Sequence, residues 1–185
     1  MEWDSDYNSA NLLGYYTIYK SDYDGDFTQV RSSFNFNSVN TAVSVIKHKI
    51  AKNMKRSEGD ANQEEYGLVG LNSNSFTPSQ SFHNIFLEWD YEQMVPEMSV
   101  LEKIGGMIIE TQGGMHLIKE DNISFSELID TMRHFNCCSG FTDCSARRGY
   151  ATLRISPKGD NRLKILKPAD GFLYSVYSEL ISNFE

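Results

Sequence analysis

The chain has 185 residues, with 17 Lys and Arg against 25 Asp and Glu, for a formal net charge of −8. At 40 % hydrophobic and 23 % charged residues the composition is that of a globular domain, which excludes wholesale disorder, and no apolar run approaches the roughly 20 residues a bilayer span needs. The acidic start Met1-Glu2-Trp3-Asp4 is the opposite of a signal peptide, and three clustered cysteines make no disulfide scaffold, so a single cytoplasmic (or host-cell intracellular) domain with reduced thiols is expected.

Along the chain, the polar stretch to Leu13 gives way to Tyr15–Tyr19, an aromatic and β-branched run that predicts a strand. A turn at Ser21–Asp26 leads to a second strand within Phe27–Phe36. The Asp22/Asp24/Asp26 spacing is not a calcium loop, because Phe27 and Ser33 stand where an EF-hand needs Gly and Glu. Ser38 or Asn40 caps a helix whose apolar stripe is Val43, Ile46 and Ile50. Its end, Lys47 to Arg56, carries five Lys and Arg side chains. Lys55–Glu65 reads as a charged linker, Tyr66–Leu71 as a short strand, and the Ser/Asn/Pro stretch through Gln80 as a loop.

Ile85–Tyr91 is a strand that carries two carboxylates. A helix opens at Pro96-Glu97 and runs to about Ile104. Gly106–Thr111 and Met115–Lys119 are strands joined at Gln112-Gly113-Gly114. Ser124-Phe125-Ser126-Glu127 has the form of a capping box, opening a helix that runs to about Phe135. Gly149–Ser156 and Arg162–Leu166 read as a hairpin, and Phe172–Leu180 as a terminal helix. Strands outnumber helices and alternate with them irregularly, so the fold class is α+β. The organisation is one domain, with an N-terminal subregion 1–65, a core 66–168 and a C-terminal helix 169–185.

Glu88 and Asp90 are the sharpest chemical feature. Residues i and i+2 of a strand share a face, so both carboxylates point one way while Leu87, Trp89 and Tyr91 take the other. Two like charges side by side on a hydrophobic strand are costly unless a cation neutralises them, and a divalent metal shared with substrate phosphates does so. The alternative is a half-exposed strand with its acids turned outward. His116 follows two glycines that let a ligand approach the backbone. The acidic protein also holds a basic segment: Ser145–Pro168 has seven Lys and Arg against Asp160 alone. Such a patch suits a polyanion, and equally a solvated outer face. His134, Cys137, Cys138 and Cys144 place four soft donors within eleven residues, enough for a tetrahedral zinc site. Paired Cys-x-x-Cys knuckles are missing, and buried free thiols are the other reading.

A strand with Glu88-x-Asp90, one helix, and a hairpin with Gly113-Gly114-Met115-His116 follow each other in under thirty residues. That order resembles the archaeo-eukaryotic primase superfamily, including the primase-polymerases of plasmids and viruses, over about Tyr66–Leu166. The resemblance implies a mostly antiparallel central sheet of the RRM-like primase type, with Glu88 and Asp90 holding Mg²⁺ or Mn²⁺. It implies His116 on the incoming nucleoside triphosphate and Gly114 as the small residue of the His motif. Arg154, Lys158 and Thr111 would join it around the phosphates. The implied activity is primer synthesis or extension on a single-stranded DNA template, alongside a helicase or other replication proteins. Zinc modules follow the His motif in some primases. The family's third motif is an acid on a later strand. The matching strand here, Leu153–Ser156, has none, and Asp143, Asp160 and Asp170 are the acids nearest it in sequence. A module of the same fold that binds nucleic acid or protein without catalysis is the alternative.

Overall fold

The computed structural model describes residues 13–19, 30–35, 39–57, 68–77, 80–155 and 162–182. The elements are β1 (Leu13–Tyr19), β2 (Val30–Asn35), α1 (Val39–Ser57), β3 (Leu68–Thr77), β4 (Gln80–Asp90), α2 (Met98–Ile104), β5 (Met107–Glu110), β6 (Gly114–Ile123), α3 (Phe125–His134), α4 (Ser139–Arg148), β7 (Thr152–Arg154), β8 (Lys164–Lys167) and α5 (Phe172–Ser182). Among the described residues, eight strands form one sheet in the order β2-β1-β3-β4-β6-β5-β8, with β7 paired to β3. Every pairing is antiparallel, so the α+β expectation holds. No described helix is long and apolar enough to cross a membrane.

The centre of the sheet is covered on both faces, and the period-2 alternation of β4 separates them. Phe86 meets the Tyr177 ring of α5 edge-on, with centroids 6.2 Å apart. The Tyr177 hydroxyl donates to the Leu153 carbonyl at 3.0 Å. On the opposite face the Trp89 indole N–H donates to the Phe135 carbonyl at the end of α3, at 2.9 Å. Trp89, Phe86, Leu87 and Tyr177 are all buried. Each such side chain is worth roughly 2–3 kcal/mol in apolar surface removed from water. At the far end of β6, the Glu120 carboxylate accepts the Leu173 N–H in the first turn of α5. The Glu120 N–H donates to the Tyr174 hydroxyl at 2.8 Å, so this helix is tied to the sheet at its start.

The Ser/Asn stretch after Leu71 is strand rather than loop. β3 and β4 pair through Asn74–Thr77 and Gln80–His83. They then diverge, and β7 takes the vacated edge of β3 at Gly70–Asn72. Several of the polar side chains along this fork find partners there. Ser73 Oγ lies 3.0 Å from His83 Nδ1 and accepts the Ala151 N–H at 3.0 Å. Thr152 Oγ1 donates to Asn72 Oδ1 at 2.7 Å. Buried hydroxyls and amides are tolerated when paired in this way.

The expected Gly149–Leu166 hairpin is corrected: β7 pairs with β3, and β8 pairs with β5 through Ile109 opposite Ile165. The fork offers β7 an open edge, and β5 offers β8 another, so the two strands part. The cysteine segment, which carried no element in the sequence reading, holds α4. Gly149 closes that helix at φ +81°, donating to the Ser145 carbonyl. Of the N-terminal expectations, the Ser21–Asp26 turn and residues 58–65 of the linker lie outside the described residues.

The capping box at α3 is formed. Ser124 Oγ accepts the Glu127 N–H at 3.3 Å, and the Glu127 carboxylate accepts the Ser124 N–H at 2.8 Å. Ser124→Ala is expected to lower stability by about 1 kcal/mol, read as a lower urea midpoint with an unchanged slope.

Candidate metal and nucleotide site

The site is built on the β4–β6 ladder. Register sets Glu88 opposite His116 and Asp90 opposite Gly114. The following turn is tight: Tyr91 N–H donates to Gly113 O at 2.8 Å, and Thr111 N–H to Gly114 O at 2.9 Å. A methyl group at Gly114 would overlap the Trp89 carbonyl oxygen. The glycine is therefore a packing requirement at the place where Asp90 is positioned. Gly114→Ala is expected to cost about 1–3 kcal/mol by overpacking. Thermal unfolding reads that loss, and a melting point equal to wild type would contradict the close approach.

Burial governs the ionisation of the facing pair. The Glu88 side chain is 27 % accessible and that of His116 only 7 %. Burial first, then the neighbouring Asp90 charge, push the Glu88 carboxyl up to about 7; Arg154 and Arg148 pull the other way. Burial, reinforced by the Arg154 charge, pushes His116 down to about 3. The ring is thus neutral at pH 7, and its Nε2 stands 3.6 Å from Glu88 Oε2, beyond hydrogen-bond length. His116 Nδ1 is buried without a hydrogen-bond partner.

The turn between α3 and α4 reaches the outer edge of β4, where Cys138 N–H donates to Glu88 O at 2.9 Å. The Cys138 thiol then donates to Asp90 Oδ2 at 3.1 Å. Donor atoms of Glu88, Asp90 and Cys138 all lie within 4.8 Å of one another. Two carboxylates on one strand suit a hard divalent ion, since Mg²⁺ takes one or two protein carboxylates and keeps several waters. The like charges on one face, with a neutral imidazole rather than a cation opposite them, fit the same need.

The other residues expected at a site are placed as follows. Thr111 is buried at the β5–β6 turn. Arg154 is half-buried on β7, and its charge acts on both Glu88 and His116. Lys158 and Asp160 lie outside the described residues. Of the soft donors, Cys138 alone joins the described cluster; His134, Cys137 and Cys144 do not share it. His134 is exposed at the end of α3, its ring set against Phe135. The Cys137 thiol is buried, and that burial pushes it up to about 12. Asp143 is exposed on α4 and Asp170 lies exposed before α5, so neither completes the cluster.

Two participants were not singled out in the sequence. Arg148, at the end of α4, donates from Nε to the Cys144 carbonyl at 3.1 Å and sits 5.7 Å over the Tyr150 ring, and its charge reaches Glu88. The second is Cys138 as the partner of Asp90. The basic Ser145–Pro168 segment, to which it belongs, was the signal for Arg148; for Cys138 no periodic signal exists, because a turn places it.

Comparison with family models, with curated proteins and with solved structures finds no match to this chain.

Proposed function

We propose that this chain is a metal-dependent nucleotidyltransferase of the primase-polymerase kind, acting on nucleoside triphosphates along a single-stranded DNA template. The observation that carries the reading is the pair of carboxylates on one face of β4, with His116 in register across the ladder and the Arg154 charge acting on both. Glu88 and Asp90 would hold Mg²⁺ or Mn²⁺. Such an ion, when bound, supplies a Lewis acid for the triphosphate and the attacking hydroxyl. Arg154, together with Lys158 of the adjoining sequence, would supply positive charge for phosphate oxygens, which Arg can grip bidentately. Thr111 and Gly114 form the wall where a triphosphate would approach the β5–β6 turn. His116, in register opposite Glu88, would contact the incoming nucleotide. The basic run Lys47–Arg56 of the sequence would supply phosphate contacts for a template.

The test is primer synthesis on single-stranded DNA, dependent on nucleoside triphosphates and on Mn²⁺, and lost in Glu88→Ala and Asp90→Ala. Cleavage of a labelled strand without nucleotides would instead make the same carboxylates a nuclease site. One observation favours a second reading: β7 carries Arg154 where the resemblance calls for a third acid. On that reading the same fold binds nucleic acid or a helicase or other replication protein without catalysis, and template binding survives both alanine variants while no product forms.

A further inference from the structure

We propose that Cys138 is a third, metal-selecting ligand of the Glu88/Asp90 site, so that its sulfur adds affinity for thiophilic divalent ions such as Zn²⁺ or Co²⁺ to a carboxylate pair that also takes Mg²⁺ or Mn²⁺. This deepens, and rests on, the reading of Glu88 and Asp90 as a cation site.

Three features carry it. The first is that the Cys138 main chain is held against β4 and α4 by bonds from both sides. Cys138 N–H is tied to Glu88 O at 2.9 Å, and Cys138 O accepts both the Thr142 N–H at 2.9 Å and the Thr142 hydroxyl at 3.1 Å. Cys138 is also the N-cap of α4, so its main chain is fixed by the first turn of that helix. The second is distance. The sulfur lies 3.1 Å from Asp90 Oδ2, and the three donors fall within 4.8 Å of one another, a span that one ion can bridge. The third is His116, a polar ring with only 7 % of its side chain accessible, its Nδ1 unpartnered and its Nε2 turned to Glu88 Oε2 at 3.6 Å. The buried ring makes no hydrogen bond to Glu88, so it leaves the carboxylate oxygens of that residue open to a ligand beside it.

Ligand chemistry then sets the selectivity. Carboxylate oxygens serve Mg²⁺, Mn²⁺ and Zn²⁺ alike, whereas a thiolate sulfur favours Zn²⁺ and Co²⁺ and adds little for Mg²⁺. Coordination exchanges the thiol–Asp90 hydrogen bond for metal bonds and releases the thiol proton to solvent. Cys137 is held apart with its thiol buried, and Cys144 lies on α4 outside the cluster, so the sulfur in question is that of Cys138.

The experiment is a Co²⁺ titration of the full chain, read by the thiolate-to-cobalt charge-transfer band in the near ultraviolet, with Mn²⁺ binding measured in parallel. Wild type is expected to show the band, and Cys144→Ser to keep it. Cys138→Ser and Cys138→Ala, checked for native far-ultraviolet circular dichroism, should lose the band and at least about tenfold in Zn²⁺ affinity. Their Mn²⁺ affinity should stay within about twofold of wild type, because the hard carboxylates remain. Mn²⁺ binding by wild type without any thiolate band, or a band that persists in both Cys138 variants, overturns the assignment of the sulfur and leaves the carboxylate site standing. Binding of neither ion overturns the cation site itself.

Discussion

Asp90→Ala is expected to weaken Mn²⁺-dependent triphosphate binding by about 100-fold or more while leaving the fold intact. Asp90 is the last residue of β4 and half-exposed, so its side chain fills no core volume. Its removal deletes one of two carboxylates and the acceptor of the Cys138 thiol, and leaves the Trp89 anchor and the β4–β6 ladder in place. Calorimetric titration with a nucleoside triphosphate and Mn²⁺ reads the loss. Unfolding midpoints equal to wild type separate it from a general collapse. Binding that persists undiminished in a folded Asp90→Ala protein would remove this carboxylate from the site.

Glu88→Gln is expected to stabilise the protein above pH 7 by on the order of 3 kcal/mol, with the gain vanishing below about pH 4.5. The folded carboxyl titrates near 7 against 4.5 for the unfolded chain. A raised folded value means stability that is fully present below 4.5 and lost as pH rises through 7. His116 works with the opposite sign. Its folded value near 3 lies below the unfolded 6.5, so its contribution is present above 6.5 and lost as pH falls through 3. Between 4.5 and 6.5 the two slopes oppose each other, and wild-type stability should be nearly flat there. Glu88→Gln should turn that plateau into a rise with pH, and His116→Gln into a fall. Urea unfolding at half-unit pH steps measures all three curves. Parallel curves for the three proteins would show that this pair does not titrate as its burial requires.

The parts of the molecule set by local periodicity were legible in the sequence. Glu88, Asp90 and His116 sit where a period of two places them, on neighbouring strands with the acids on one face. The capping box at Ser124 was readable because its two bonds span only four residues. What depends on a distant partner was not. The Asn72–Ser73 stretch reads as a loop by composition, yet it is strand, because β7 returns to it from eighty residues away and bonds to Ser73 Oγ and Asn72 Oδ1. Arg162–Leu166 alternates as well for one neighbour as for another, so pairing with β5 rather than β7 could not be read from it. Cys138 reaches Asp90 only because the α3–α4 turn meets the edge of β4 that β3 leaves open. The zinc grouping of His134, Cys137, Cys138 and Cys144 was a spacing argument, and α4 separates what spacing brought together.

The central claim is that Glu88 and Asp90 hold a divalent ion on a triphosphate. The most direct measurement is a triphosphate titration of the wild-type protein with and without Mn²⁺. Saturable binding is expected with Mn²⁺ and none without it. Binding of equal strength in the two conditions, or none in either, would contradict it.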